Sequence, residues 1–347
     1  MKAVVYKGNG RIALEERPVP VLLDETDAIV KVSLTTICSS DIHIIHGAVP
    51  RAKAGVVLGH EFVGIVKETG RQVSTVKPGD RVAVNVETFC GECFFCQRGF
   101  VNNCEDENGG WALGCRIDGG QAEYVRIPFA DHGLTKIPDN ETDEEALFTG
   151  DLLSTGYWAA KLAEIKPGDT TVVIGAGPAG LCTMMCAKLD QPQSIIAVDV
   201  NDERLDMAKA MGLAEIILNP LRQDIETEIK KRTGQRGADE VIEAAGGNDT
   251  FEMAWKVARP NAVVVLMAMY EKAQTLPLPE MYGKNLIFKT GGVDASNCQE
   301  IMELIADGKI NAKGLITHKA KLGDILNAYN VFENQEDGVV KYAIYIN

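Results

Sequence analysis

Four cysteines within fifteen residues, "CGECFFCQRGFVNNC" at positions 90 to 104, stand out in a chain that has nine in all. The spacing Cys90-x2-Cys93-x2-Cys96-x7-Cys104 places four thiolates on one loop, with Gly91 and Gly99 as flexible points, and suits one tetrahedral, closed, structural zinc. A bacterial ferredoxin run would end with a three-residue gap and Cys-Pro, whereas here the last gap is seven and Glu105 follows Cys104. A closed four-thiolate site has no open coordination position, so reactivity has to reside elsewhere. A second group lies upstream, where "TTICSSDIHIIHG" and "LGHEFVG" bring together Cys38, His43, His46, His60 and Glu61. Thiol, imidazole and carboxylate are all zinc ligand types, and a site with fewer than four protein ligands, or one exchangeable ligand, admits an alcohol.

A third constellation is "TTVVIGAGPAGLCTMMCAKL", in which the β-branched run Thr170 to Ile174 meets Gly175, Gly177, Pro178 and Gly180 ahead of a helix-forming segment. At such a turn Gly175 allows the tight bend, Gly177 lets a pyrophosphate approach, and Gly180 lets helix and strand pack closely. "SIIAVDV" reads as the next strand, and its Asp199 lies nineteen residues after Gly180, where a carboxylate accepts from both ribose hydroxyls. A 2′-phosphate there would face that charge, and the first Arg comes only at 204, so NAD is expected over NADP. A cap role for Asp199 is weaker, because Asn201 and Asp202 already offer one before "ERLDMAKAMG".

Elements that position these groups are legible on either side. From about residue 150 onward, strand-like runs ("ADEVIEAAG", "NAVVVLMAM", "NLIFKTGGV") alternate with helical stretches ("DIETEIKKRTG", "DTFEMAWKVA"), the pattern of a doubly wound parallel sheet. The first 150 residues hold many short strands ("DAIVKVSL", "EFVGIVKET", "DRVAVNV", "AEYVRI") between Gly, Pro and Asp turns, as in a small β-barrel-like domain. At 347 residues, 46% hydrophobic and 24% charged, two ordinary domains are expected. A net charge of −14 argues against a nucleic-acid partner. "MKAVVYKGNG" breaks at Gly8 before a signal-peptide core develops, and the best apolar run, Ala262 to Tyr270, is too short to span a bilayer, so a cytoplasmic protein without membrane contact is expected. Thiols stay reduced in that compartment, which favours metal over disulfides.

In the order "CSSDIH", "GHEFVG", the four-cysteine loop, "KPGDRV", "DLLSTGYWA" and "GAGPAG", nearly the whole chain resembles the zinc-dependent medium-chain dehydrogenase/reductases, the alcohol and polyol dehydrogenases. The resemblance implies an α/β protein with a GroES-like β-barrel catalytic domain, residues 1–153 and 292–347, and an inserted Rossmann domain, residues 154–291. It further implies two zinc ions per chain, a homo-oligomer (tetramer or dimer), and a catalytic zinc held by Cys38, His60 and a third residue just ahead of "STGYWA". In the horse-liver-like branch that residue is a cysteine; here it is Asp151, as in the bacterial secondary-alcohol dehydrogenases. Glu61 looks like a carboxylate that swings onto zinc, and Ser40 and His43 like a proton relay. The implied reaction is hydride transfer between a small, secondary alcohol and NAD, giving a ketone or aldehyde.

Trp111 is expected to line the substrate pocket, and Glu87 keeps a polar substrate in view, so a polyol, sugar-alcohol or formaldehyde-type dehydrogenase is the alternative. A zinc-free NADPH-binding regulator would lack the cysteine loop and "GHE". Asp151 has a competing reading as a helix N-cap before "LLSTGYW". His46, His132 and His318 read as structural or exposed, and Cys115, Cys182, Cys186 and Cys298 as small apolar residues.

Overall fold

The β-branched residues Thr170–Ile174 form an inner strand of a six-stranded parallel sheet in the computed structural model, which describes residues 1–346. Strands run in the spatial order Ile216–Leu218, Ser194–Val198, Thr170–Ile174, Ala238–Glu243, Ala258–Leu266, Ile287–Thr290, all parallel. The direction of winding reverses after the third strand in sequence, which is the doubly wound Rossmann order. Val172, Ile174, Ile196, Val198, Val241 and Val264 are buried in one core cluster, which is why these strands read as apolar runs rather than alternations. This unit comprises Thr155–Val293.

Met1–Ser154 and Asp294–Asn347 form the other unit. Its seven-stranded sheet runs Ile316–Lys321, Lys341–Tyr345, Ala28–Thr35, Phe62–Thr69, Arg81–Val84, Leu134–Lys136, with Tyr124–Ile127 also paired to Ala28–Thr35. The tail holds helix Cys298–Ala306, strand Ile316–Lys321 and helix Ile325–Glu333, and adds a strand, Lys341–Tyr345, that sequence reading overlooks. Its residues, Lys-Tyr-Ala-Ile-Tyr, are largely strand formers, so the local signal is present in the chain and goes unread. The strand pairs parallel to Ile316–Lys321 on one side and antiparallel to Ala28–Thr35 on the other. Among the described residues no helix is long and apolar enough to cross a membrane.

Buried Glu240 makes the Rossmann sheet's stability depend on pH. Burial first, and Asp169 second, push its carboxyl up to about 8, against the opposing pull of Thr171 Oγ1, which donates to Oε2 at 2.9 Å. A carboxyl whose folded pKa exceeds its unfolded value contributes stability that is full below the unfolded value, near 4.5, and lost as pH rises through 8. Glu240→Gln should therefore melt about 2–4 °C above wild type at pH 9, with the gap closing toward pH 5. Melting curves showing a pH-independent gap would rule this out.

Candidate active site and metal centres

Cys38 sits where the chain leaves strand Ala28–Thr35 and enters helix Ser39–Ile45, as the residue before the first turn. Asp41 fixes it there, accepting from Cys38 N–H through Oδ2 at 3.0 Å. His60 precedes strand Phe62–Thr69, and Gly59 before it has φ of +93°, with Gln121 Cγ only 2.6 Å from where a Cβ would stand. A side chain at residue 59 is excluded on both counts.

Asp151 lies inside a π-helical turn, Thr149–Leu153, ahead of helix Ser154–Ala163. The competing cap reading is corrected accordingly: the carboxylate is within the turn rather than at the residue before the helix. Such bulges occur frequently at functional sites because they re-aim a side chain. Gly150 seats the turn on the strand below, since a Cβ there would meet Val84 O at 1.7 Å and Val86 N–H donates to Gly150 O at 3.0 Å.

The donor atoms of Cys38, His60 and Asp151 all lie within 4.8 Å of one another. His60 Nε2 is 3.4 Å from Asp151 Oδ2, and Cys38 Sγ is 3.7 Å from the same oxygen. Edges of a tetrahedron built from ordinary zinc bond lengths are about 3.4 Å for N to O and 3.6 Å for S to O. The three residues therefore fit a zinc ion. Behind the ring, His60 Nδ1 faces Asp41 Oδ1 at 3.3 Å, an arrangement that orients Nε2 toward a metal. Asp41 is itself held by Gln121 Nε2 at 3.1 Å, and Gln121 Oε1 accepts from Tyr329 O–H at 2.8 Å. "CSSDIH" contained Asp41, but its acidity reads as an ordinary first-turn residue until His60 is packed against it.

Charge balance supports the same fit. Asp41, Glu61, Asp151 and Cys38 are buried, and among the described residues Lys341 and the His60 imidazole are buried with them. Burial works against a protonated His60, yet the Asp41 charge and bonds to Asp151, Asp41 and Cys38 outweigh it and hold the ring well above its usual pKa. Burial raises Asp151, and His60 more than reverses that, so its carboxyl is held low. Glu61 stands outside the three-residue cluster: its Oε2 pairs with the Lys341 ammonium, which also donates to Ile37 O at 3.0 Å. Burial dominates Glu61 and pushes it up to about 7 despite Lys341. Lys341, in the overlooked last strand, is a site residue that sequence reasoning missed.

Ser40 Oγ lies 3.8 Å from Cys38 Sγ, and His43 is half-buried on the same helix. Trp111 presents its edge to the His60 ring, centroids 5.5 Å apart. The remaining histidines stand apart: His46 pairs with Glu333, His132 stacks on Phe89, and His318 lies against Tyr342. Cys115, Cys182, Cys186 and Cys298 are buried and outside both cysteine-containing clusters.

Cys90, Cys93, Cys96 and Cys104 form the second cluster, with Sγ atoms 3.6 Å apart for 90 to 104 and 4.0 Å for 90 to 96. Those are tetrahedral zinc–sulfur edges, about 3.8 Å, and far from a disulfide length. Backbone N–H groups point at the sulfurs: Cys90 N–H donates to Cys104 and Cys93 N–H to Cys90, both at 3.4 Å. N–H groups of Cys96 and Glu105 pull the Cys93 thiol down to about 6.

In the Rossmann unit Gly175 has φ of +102°, and a Cβ on Gly180 would come within 1.9 Å of Gly175 O. Gly177 differs: the nearest atom to a Cβ there would be Arg204 Nη1 at 3.7 Å, leaving open space at the start of helix Pro178–Ala187 for a phosphate. Asp199 follows strand Ser194–Val198, and its Oδ2 accepts from Ala176 N–H at 2.7 Å, tying it to the glycine loop. Asn201 is the cap of the next helix, accepting from Glu203 and Arg204 N–H. Arg204, distant from Asp199 in sequence, is returned by that helix to the loop.

Residues 24–139 match the family model for the alcohol dehydrogenase GroES-like domain, and residues 178–307 that for zinc-binding dehydrogenase. An alcohol dehydrogenase of Cupriavidus necator is 37% identical over 99% of this chain and 98% of its own. This chain belongs to the zinc-dependent medium-chain dehydrogenases. The dehydrogenase is also similar to the solved apo form of zinc dependent alcohol dehydrogenase 2 from Streptococcus pneumonia, with TM-score 0.93, 36% identity, and 100% and 99% of the two chains covered. A zinc-binding dehydrogenase from Sinorhizobium meliloti, solved with NADP bound, is similar at TM-score 0.89 and 28% identity over 99% and 98% of the chains. The dehydrogenase therefore combines a GroES-like domain with a Rossmann domain and falls in the alcohol dehydrogenase class of oxidoreductases.

Proposed function

We propose that the protein oxidises small secondary alcohols with NAD and reduces the matching ketones, as a homo-oligomer in the cytoplasm. The observation that carries the reading is the buried Cys38, His60, Asp151 set at zinc-tetrahedral spacing. When bound, zinc supplies a Lewis acid that acidifies an alcohol hydroxyl, and NAD supplies the hydride acceptor. Cys38, His60 and Asp151 hold the metal and Asp41 orients the imidazole. Ser40 Oγ takes the alcohol's proton and passes it toward His43. Glu61, adjacent to His60 in the chain and paired with Lys341, would be a further carboxylate available to the metal. Gly175, Gly177, Pro178 and Gly180 seat the pyrophosphate, and Asp199 accepts from the adenosine ribose.

NAD rests on the Asp199 charge, with Arg204 beside Gly177 as the opposing feature. A panel of ketones and alcohols with both nucleotides is the test. Wild type should reduce a small methyl ketone with NADH faster than a ketose, and Asp199→Gly should raise KM for NAD about tenfold while narrowing its lead over NADP. Faster ketose reduction would favour the polyol alternative, for which buried Glu87 is the supporting residue; higher kcat/KM with NADP would overturn the NAD assignment.

Two zinc ions of unequal lability are expected, one in the closed cysteine cluster and one in the three-ligand site. A chelator should remove the second, with activity, before the first. Emission analysis finding one zinc or none in fully active protein would contradict this.

A further inference from the structure

Behind the metal ligands, one buried amide touches the supports of two of them. Gln121 Nε2 donates to Asp41 Oδ2 and to Thr36 O, both at 3.1 Å. Asp41 Oδ2 also accepts from Cys38 N–H, and Thr36 lies two residues ahead of Cys38 in the chain. The other carboxylate oxygen, Asp41 Oδ1, faces His60 Nδ1 at 3.3 Å, and neither of these buried atoms has a further partner among the described residues. The Gln121 side chain also passes over the residue before His60, since its Cγ occupies the space that a Cβ on Gly59 would need.

Tyr329, on helix Ile325–Glu333, completes the set by donating from its O–H to Gln121 Oε1 at 2.8 Å. Burial first, and the Asp41 charge second, hold the phenol well above its usual pKa, so it remains a donor. An amide has an accepting oxygen and two donor hydrogens. With Tyr329 on the oxygen, the nitrogen must face Asp41 and Thr36; a turned amide would set oxygen against two acceptors. Packing alone does not call for these groups. Gln121 is fully buried, its backbone is already paired with Val4 N–H and Leu58 O, and the Tyr329 ring lies in the cluster of Ile44, Ile325 and Ala328. Leucine at 121 and phenylalanine at 329 would fill similar space with no polar group to desolvate.

We propose that Gln121 and Tyr329 are positioning residues for the metal centre: Tyr329 fixes the amide of Gln121, Gln121 fixes the carboxylate of Asp41, and Asp41 fixes the ring of His60, so that the C-terminal helix sets the affinity of the Cys38, His60, Asp151 site for its metal. The inference rests on the zinc-site reading above and goes beyond it. Without the amide, Asp41 is tied only to Cys38 N–H and can turn its second oxygen away from His60, which leaves the imidazole without its orienting partner. Tyr329 acts through Gln121, and Gln121 through Asp41. Outer partners of metal-ligating histidines change metal affinity by about 10–100-fold.

The experiment measures the zinc affinity of the three-ligand site by chelator competition on the full chain, with the zinc of the cysteine cluster as internal reference. It also records the visible absorption after cobalt(II) replaces the labile zinc. Gln121→Leu should raise the dissociation constant about 10²-fold and Tyr329→Phe about tenfold, each with an altered cobalt band. Adding Tyr329→Phe to Gln121→Leu should change neither quantity further, because the tyrosine has lost the group through which it acts. Tyr329→Phe keeps the ring in the core and covers the case in which leucine at 121 prevents folding. Variants that melt lower but keep wild-type zinc affinity and cobalt spectrum make the pair purely structural and overturn the inference, as does a further tenfold loss in the double variant. Wild type that binds no metal outside the cysteine cluster overturns the zinc-site reading itself.

Discussion

Asp151→Asn should lose the labile zinc and lower turnover by at least about 10²-fold, while retaining the zinc of the cysteine cluster and the fold. Asparagine keeps the size and one carbonyl oxygen but removes the charge that balances a dication beside Cys38 and His60. The substitution separates two roles, since any helix-terminal hydrogen bonding survives in asparagine whereas anionic ligation does not. Carboxylate in place of a second thiolate makes the donor set harder without changing its formal charge, so zinc remains a fitting occupant of the native site. Metal content and kcat measured on the same preparation decide the matter: full zinc occupancy with near-normal turnover would remove Asp151 from the ligand set.

Lys341→Met should be among the most destabilising single changes in the chain. Both Lys341 and Glu61 are 1% exposed, and the Lys341 ammonium pairs directly with the Glu61 carboxylate. Burial disfavours the ammonium, but Glu61, Cys38 and Asp151 outweigh it and hold the lysine protonated. Removing one partner of such a pair leaves an uncompensated buried charge and costs about 3–5 kcal/mol. Glu61→Gln in the Lys341→Met background should recover most of that loss, because the orphaned charge is gone. Chemical-denaturation midpoints of the two single variants and the double variant give the coupling; additive losses would show that the ion pair is not what stabilises this corner.

How much of the molecule was legible in the chain depends on the range over which each feature is determined. Short-range features were plain. The cysteine loop is closed by residues within fifteen positions of one another, and its four sulfurs lie at zinc spacing. The turn from Thr170–Ile174 into Pro178–Ala187 is dictated by local steric demands, Gly175 by its φ and Gly180 by a backbone oxygen 1.9 Å away. Apolar runs marked five of the six parallel strands because both faces of that sheet are covered, and the three-residue strand Ile216–Leu218 was not read. Cys38 and His60 stood out as candidates by residue type, but Asp151 was reachable only through resemblance to a family, since nothing local says that residues 38, 60 and 151 meet.

Donor types, glycine positions and the alternation of strands with helices were thus determined by the sequence alone, because they depend on covalent geometry and on nearest neighbours along the chain. Tertiary structure decided what those residues face. It converted Asp41 from a first-turn acid into the partner of His60, paired the strand Lys341–Tyr345 on both sides, and set Lys341 against Glu61 across 280 residues of chain. It brought Arg204 back to Gly177 and left Glu87 and Trp111 opposed, each with an unpaired buried atom beside the metal ligands. The physical reason is that the energy of a buried polar group is set by the groups packed around it, and sequence separation carries no information about which groups those are.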